Sequence, residues 1–146
     1  MGLQKFLTDK NYHVVKLKRT VTNHFEFKAS INGIEGRFIL DTGASNSCLS
    51  THDIEKFGLI TEESDHKAAG AGSIEIDTLI SKKNKLEIGK YKLPKLTLVL
   101  IDLSNINTAL LKQEAEEIDG IIGADVLEKT RAVIDYKKKK LYLKKK

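Results

Sequence analysis

Phe38-Ile39-Leu40-Asp41-Thr42-Gly43-Ala44-Ser45 is the stretch on which the reading of this chain turns. Three consecutive apolar residues suit a strand running into the interior. An acid, a hydroxyl and a glycine follow, all small enough for a tight turn. Aspartate is disfavoured in strands. An ionised carboxylate at the end of a buried strand costs free energy unless it is hydrogen-bonded. Gly43 lets neighbouring N–H groups approach the Asp41 carboxylate, and Thr42 can bond across the loop. Taken alone, Asp41-Thr42-Gly43 reads equally well as a β-turn closing a strand, because Asp and Gly are common turn formers.

Outward from this loop the pattern is short strands with turn signals between them. Phe25, Phe27, Ala29 and Ile31 alternate with Glu26, Lys28 and Ser30, as in a strand with one buried face. Asn32-Gly33 is a strong hairpin signal, and Ile34 to Leu40 is the return strand. Ser50-Thr51-His52-Asp53 predicts a capped short helix ending at Phe57-Gly58. Further strands are expected at Ser73–Ile80, at Lys85–Ile88 with Tyr91–Leu93, and at Leu96–Ile101. The segment Ser104–Glu117 contains a helix-compatible stretch, Leu110–Glu116, another covers Ala124–Lys129, and Ala132–Asp135 with Leu141–Leu143 form a last hairpin. This is a mostly-β domain, a small barrel or sandwich with two or three short helices.

At 146 residues the chain has the size of one domain with one core. The single cysteine, Cys48, excludes an intramolecular disulfide framework and multi-cysteine zinc sites. Cys48 is expected on an inward strand, as packing. His13, His24, His52 and His66 show no ligand spacing, and no Gly-x-Ser-x-Gly elbow surrounds Ser45, Ser47 or Ser50. The net charge is +5, but seven lysines lie in the last ten residues, and without them the chain is near −2. The basicity is therefore local, and only three cations are Arg, so no nucleic-acid partner is expected. Lys137 to Lys140 is expected to form a solvated hairpin turn. No stretch approaches the apolar length of a transmembrane segment, and the N-terminus has no apolar signal region. With one cysteine, a cytoplasmic location is expected, or a periplasmic or membrane-associated one if an upstream signal or anchor was removed.

A second segment, Ile118-Asp119-Gly120-Ile121-Ile122-Gly123-Ala124-Asp125, sets an apolar pair before a glycine, about 80 residues after Asp41. Together the two segments resemble the retropepsin-like aspartic protease family, in its single-domain bacterial or cellular branch. In that family an apolar-apolar-Asp-Thr/Ser-Gly-Ala/Ser loop carries the catalytic aspartate, and a later apolar-apolar-Gly strand supports it. Ile39-Leu40-Asp41-Thr42-Gly43-Ala44 matches the first element and Ile121-Ile122-Gly123 the second.

The resemblance implies a closed retropepsin-like β-barrel domain over residues 25–143. Residues 1–24 are then an N-terminal segment supplying an edge or dimer-interface strand, and 144–146 a basic tail. It implies Asp41 as the catalytic aspartate, Thr42 as a hydrogen-bonding link across a dimer, and Gly43 as a contact for substrate backbone. Ala44 would bind substrate from the motif loop, and the small-residue stretch Ala69, Gly70, Ala71 and Gly72, a mobile hairpin tip, would bind it as a flap. Ile121, Ile122 and Gly123 would support the loop. Retroviral members usually pair an acid two residues after the motif glycine with an Arg after the second glycine. Those positions here are Ser45 and Ala124, so both partners are missing together and the rigidity of the loop is an open question.

Aspartic protease chemistry needs two facing carboxylates, one ionised and one protonated. The chain has one such motif, so a homodimer bringing together two Asp41 side chains is expected. Water attacks directly, and no metal or cofactor is required. Asp119 reads as a turn residue and Asp125 as a helix N-terminal acid, rather than as a second catalytic carboxylate. The expected activity is that of an aspartic endopeptidase acting on peptides or proteins. The alternative is a catalytically silent domain that binds peptides in the same cleft.

Overall fold

The computed structural model describes the backbone of residues 2–69 and 75–145, and the side chains among these outside 64–78. The expected hairpin tip at Gly70, Ala71 and Gly72 therefore lies outside the described residues.

Residues 2–24 carry helix α1 (Leu3–Asp9), strand β1 (Tyr12–Lys16) and the short β2 (Lys18–Arg19). Strands β3 (Phe25–Ile31) and β4 (Ile34–Leu40) form the predicted hairpin, with Ile31 opposite Ile34. Asn32 and Gly33 have φ of 52° and 84°, the pair of positive values a two-residue type I′ turn requires. After β4 come β5 (Cys48–Ser50), β6 (Glu62–Ala69), β7 (Glu75–Ile88), β8 (Tyr91–Ile101), helix α2 (Ser104–Lys112), β9 (Gly120–Ile122), helix α3 (Ala124–Lys129), β10 (Val133–Asp135) and β11 (Lys140–Lys144).

The main sheet runs β2-β3-β4-β9-β5-β8-β7-β6. An additional pairing of Ser30 and Ile31 in β3 with Glu87 and Leu86 in β7 closes β3-β4-β9-β5-β8-β7 into a six-stranded barrel. A second sheet, β1-β11-β10, packs Leu141 and Leu143 into the same core. Closure removes the open edges of the six barrel strands.

Alternation along β4 and β9 explains the uninterrupted apolar run. Phe38, Leu40 and Ile122 point into the main core with Phe27, Leu86 and Leu98. Ile39 and its register partner Ile121 point the other way, into a second cluster with Leu103, Leu110 and Ile118. Successive side chains on a strand face opposite sides. A strand covered on both faces therefore reads as continuous apolar sequence.

Several elements differ from the sequence expectation. Glu26 was placed on the wet face of its strand but is buried, because Arg37 donates to its carboxylate at 2.6 Å. Over the described residues, from Glu75 on, the strands expected at 73–80 and 85–88 are parts of one strand, β7, with irregular register at Ser81 to Leu86. Lys83 there has φ of 61°, and buried Asn84 donates to Ser81 O at 2.9 Å. A side-chain bond thus replaces ladder bonds that the irregularity removes. Pro94 lies within β8, between Leu93 and Leu96, where it faces that irregularity and no ladder donor is lost.

Only Thr51–Asp53 is helical in the stretch from Ser50 to Gly58, as one 3₁₀ turn with Ser50 Oγ accepting the His52 N–H at 3.1 Å. Turns follow, and Gly58 has φ of 62°, in keeping with its terminal position. Helix α2 lies within the Ser104–Glu117 segment but is shifted toward its start, overlapping 110–116 only at 110–112. It begins where Asp102 Oδ1 accepts the Ser104 N–H at 2.8 Å, and Glu114, at φ of 59°, turns the chain after it. This placement lets Leu103 and Leu110 cover Ile39 and Ile121. No helix among the described residues is long and apolar enough to cross a membrane.

Candidate active site

The loop after β4 is held by backbone. Asp41 N donates to Ile122 O at 3.0 Å, extending the parallel β4–β9 pairing by one bond. The chain then turns: Asp41 Oδ1 accepts the Gly43 N–H at 2.9 Å, and Ala44 N donates to Asp41 O at 3.2 Å. The side-chain bond is an Asx-turn, which an Asp followed two residues later by a free N–H forms readily. Asp41, Thr42 and Gly43 are exposed, so the carboxylate stays hydrated at the end of a strand whose preceding residues are buried.

Gly123 supports this loop from below. A Cβ at Gly123 would sit 2.5 Å from Ala44 O, so the close approach requires glycine. The next residue uses that proximity: Ala124 N donates to Ala44 O at 2.7 Å. Ile121 and Ile122 lie side by side with Ile39 and Leu40 in register. The structure thus brings Asp41, Ala44, Ile122, Gly123 and Ala124 together. The backbone of Ala69 pairs with Glu75 at the end of the β6–β7 hairpin.

Ser47, for which the sequence suggests no role here, anchors the same loop together with Asp125, the expected helix N-terminal acid. Ser47 is fully buried. Its hydroxyl donates to Asp125 Oδ1 at 2.7 Å and accepts the Gly123 N–H at 2.9 Å, while its own N–H donates to Asp125 Oδ2 at 3.0 Å. Asp125, in the first turn of α3, also accepts the Val126 N–H at 2.9 Å. Ser45 and Ala124 leave no ion pair in the loop, and this Ser47–Asp125 clamp ties the two segments together instead. Hydrogen bonds to an ionised carboxylate are the stronger kind. No local signal marks Ser47, since its partners lie 76 and 78 residues away.

Asp119 is more than a turn residue. Its Oδ2 accepts the Arg37 N–H at 2.8 Å and its Oδ1 takes the Lys56 ammonium at 2.9 Å. Gly120 was also passed over. A Cβ there would lie 2.3 Å from Cys48 O, where β5 and β9 pair antiparallel with Leu49 opposite Gly120. Cys48 is half-buried beside the second cluster. Burial, with help from the Asp125 and Asp41 charges, pushes its thiol up to about 11. Thr42, with Ala124, Leu127, Arg131 and Ile134, lines an open groove of about 420 Å³ on the flank of α3.

Comparison with known proteins follows the same line. The family model for aspartyl proteases matches residues 27–126. A retropepsin-like aspartic protease from Rickettsia conorii superposes with a TM-score of 0.57 at 21% identity, over 90% of this chain and 89% of that one. The EIAV protease, solved with the inhibitor HBY-793, gives a TM-score of 0.58 at 17% identity, over 81% of this chain and 98% of that one. The retroviral protease-like domain of Ddi1 from Leishmania major gives 0.53 at 17% identity, over 82% and 85%. These likenesses establish the fold. An uncharacterised protein from the cobV 5′ region of Sinorhizobium sp. is 37% identical over 59 residues, 40% of this chain, which spans 25% of that relative's length. With a family model covering the loop, the supporting strand and most of the barrel, the chain belongs to the aspartyl protease family and has the retropepsin-like fold.

Proposed function

We propose that the chain is an aspartic endopeptidase that works as a homodimer, with Asp41 of each copy forming the catalytic pair. The observation that carries this reading is an exposed, backbone-held Asp41 on a loop clamped by Gly123 and Ser47. The other acids near the supporting strand are otherwise engaged: Asp119 with Arg37 N and Lys56, Asp125 with Ser47 and Val126 N. A second chain is the natural source of a second carboxylate.

In such a pair, like charges at about 3 Å cannot both ionise, so the two carboxylates share one proton. The ionised member takes a proton from water. The resulting hydroxide attacks the peptide carbonyl carbon while the protonated member gives its proton to the carbonyl oxygen. Collapse of the tetrahedral intermediate breaks the C–N bond, with the leaving amine protonated by the dyad. The pH profile then reports two apparent values belonging to the pair. Thr42 would bond across the dimer axis, Gly43 and Ala44 would meet substrate backbone, and the 69–72 stretch would close over it. Ile121, Ile122 and Gly123 would hold the loop in place.

The test is peptide-library cleavage at about pH 4 to 7, the range carboxylate pairs serve, by wild type and Asp41→Asn, with oligomeric state measured on the same samples. Cleavage by a dimer, lost in the variant, is expected. Mixing the two in equal amounts should leave about a quarter of the dimers as wild-type pairs, and activity should fall accordingly. A stable dimer that binds peptides without cutting them would replace the enzyme reading with the peptide-binding one.

A further inference from the structure

The lysine-rich turn and the N-terminal helix are far apart in sequence but adjacent in the fold. The turn Tyr136–Lys139 joins β10 to β11, with Asp135 opposite Lys140. It holds Lys137, Lys138 and Lys139 exposed at its tip, beside a Tyr136 that is 63% exposed. β11 pairs with β1, and α1 lies against β1. Lys140 Nζ reaches Gln4 Oε1, Lys144 Nζ donates to Lys10 O at 2.7 Å, and Lys145 N donates to Asn11 O at 3.0 Å.

Helix α1 is pinned by one buried residue, Leu7, while Leu3 and Phe6 are 42% and 47% exposed. The Lys10 ammonium sits 5.0 Å from the centre of the Phe6 ring. Of the acids within α1 and the β10–β11 hairpin, Asp9 pairs with Lys5 at 3.0 Å, and Asp135 accepts the Lys138 backbone N–H at 3.0 Å. The region therefore combines exposed apolar side chains with a surplus of lysine.

We propose that the surface made by α1, the Tyr136–Lys139 turn and β11 docks on an anionic lipid bilayer. The lysines match a layer of negative headgroups. Leu3 and Phe6 match the headgroup–acyl boundary, where an aromatic ring with a polar neighbour is at home. A nucleic-acid surface fits less well, since the cations of the turn and α1 are all lysine and a phosphate backbone offers nothing to Leu3 or Phe6. This proposal is independent of the activity at Asp41.

Lysines near an anionic leaflet each strengthen attachment by about fivefold. The test pellets the full chain with vesicles of phosphatidylcholine containing about 30% phosphatidylserine, and with pure phosphatidylcholine, at about 0.1 M salt. Preferential binding to the mixed vesicles is expected, released at about 0.5 M salt where screening is strong. The combined Lys137→Gln, Lys138→Gln, Lys139→Gln variant should bind about a hundredfold more weakly. Phe6→Ser should bind several-fold more weakly with its salt dependence kept. Equal partitioning to both vesicle types, or a triple variant that binds like wild type, overturns the proposal. So does tighter binding to duplex DNA than to the mixed vesicles, with no effect of Phe6→Ser, which would assign the surface to nucleic acid.

Discussion

Ser47 and Asp125, 78 residues apart, meet through two hydrogen bonds of 2.7 and 3.0 Å directly behind the Asp41 loop. The pair joins the chain leaving that loop to the helix that follows the supporting strand. Where Ser45 and Ala124 supply no ion pair, a buried hydroxyl instead links a carboxylate to the Gly123 backbone N–H.

Ser47→Ala should cost about 2–4 kcal/mol of stability, since it removes a bond to a charged group and strands the Gly123 N–H. Urea unfolding measures this. A loss under about 0.5 kcal/mol, the size of an ordinary surface change, would mean the clamp does not hold the loop.

Gly123→Ala should destabilise by about 1–3 kcal/mol, the range for overpacking, by pushing against Ala44 O. If the enzyme reading holds, cleavage should fall further than stability does, because the displaced atoms belong to the Asp41 loop. Gly120→Ala, which meets Cys48 O, should lower stability at least as much. Thermal unfolding alongside kcat/KM separates the two effects.

Arg37→Ala should cost about 3 kcal/mol, because Glu26 would stay buried without its close partner. The reverse change, Glu26→Gln, should be milder: a neutral amide can still accept from Arg37. A double-mutant cycle measured in denaturant isolates the coupling, and independent, additive losses would show that the ion pair contributes nothing.

Cys48 should react slowly with iodoacetamide in the folded protein near neutral pH and quickly once unfolded, since the thiolate is the nucleophile and its folded-state pKa is raised to about 11. An acid whose folded pKa is raised binds its proton more tightly when folded. Its contribution is therefore complete below the ordinary thiol value of about 9 and is lost as pH climbs toward 11. Stability of wild type should fall over that alkaline window, and Cys48→Ala should flatten the decline. Parallel curves for the two proteins would place the cause elsewhere.

The features legible in the chain are those written in neighbouring residues. Asn32-Gly33 announces its turn because few residues accept two positive φ values in succession. Phe25, Phe27, Ala29 and Ile31 announce their buried face because side chains alternate along a strand. The Asp41 loop and Gly123 could be matched as a pair because each is a compact local pattern. The hidden features are contacts between distant segments. Glu26 looked like a surface residue until β4 set Arg37 beside it. The span of α2 followed from which leucines could cover Ile39 and Ile121, not from helix propensity. Ser47 with Asp125, Asp119 with Arg37, and α1 beside the lysine turn likewise exist only once the barrel has closed. Turn chemistry and alternation act over a few residues, whereas register between remote strands comes from packing the whole core, and it is register that chooses which distant side chains meet.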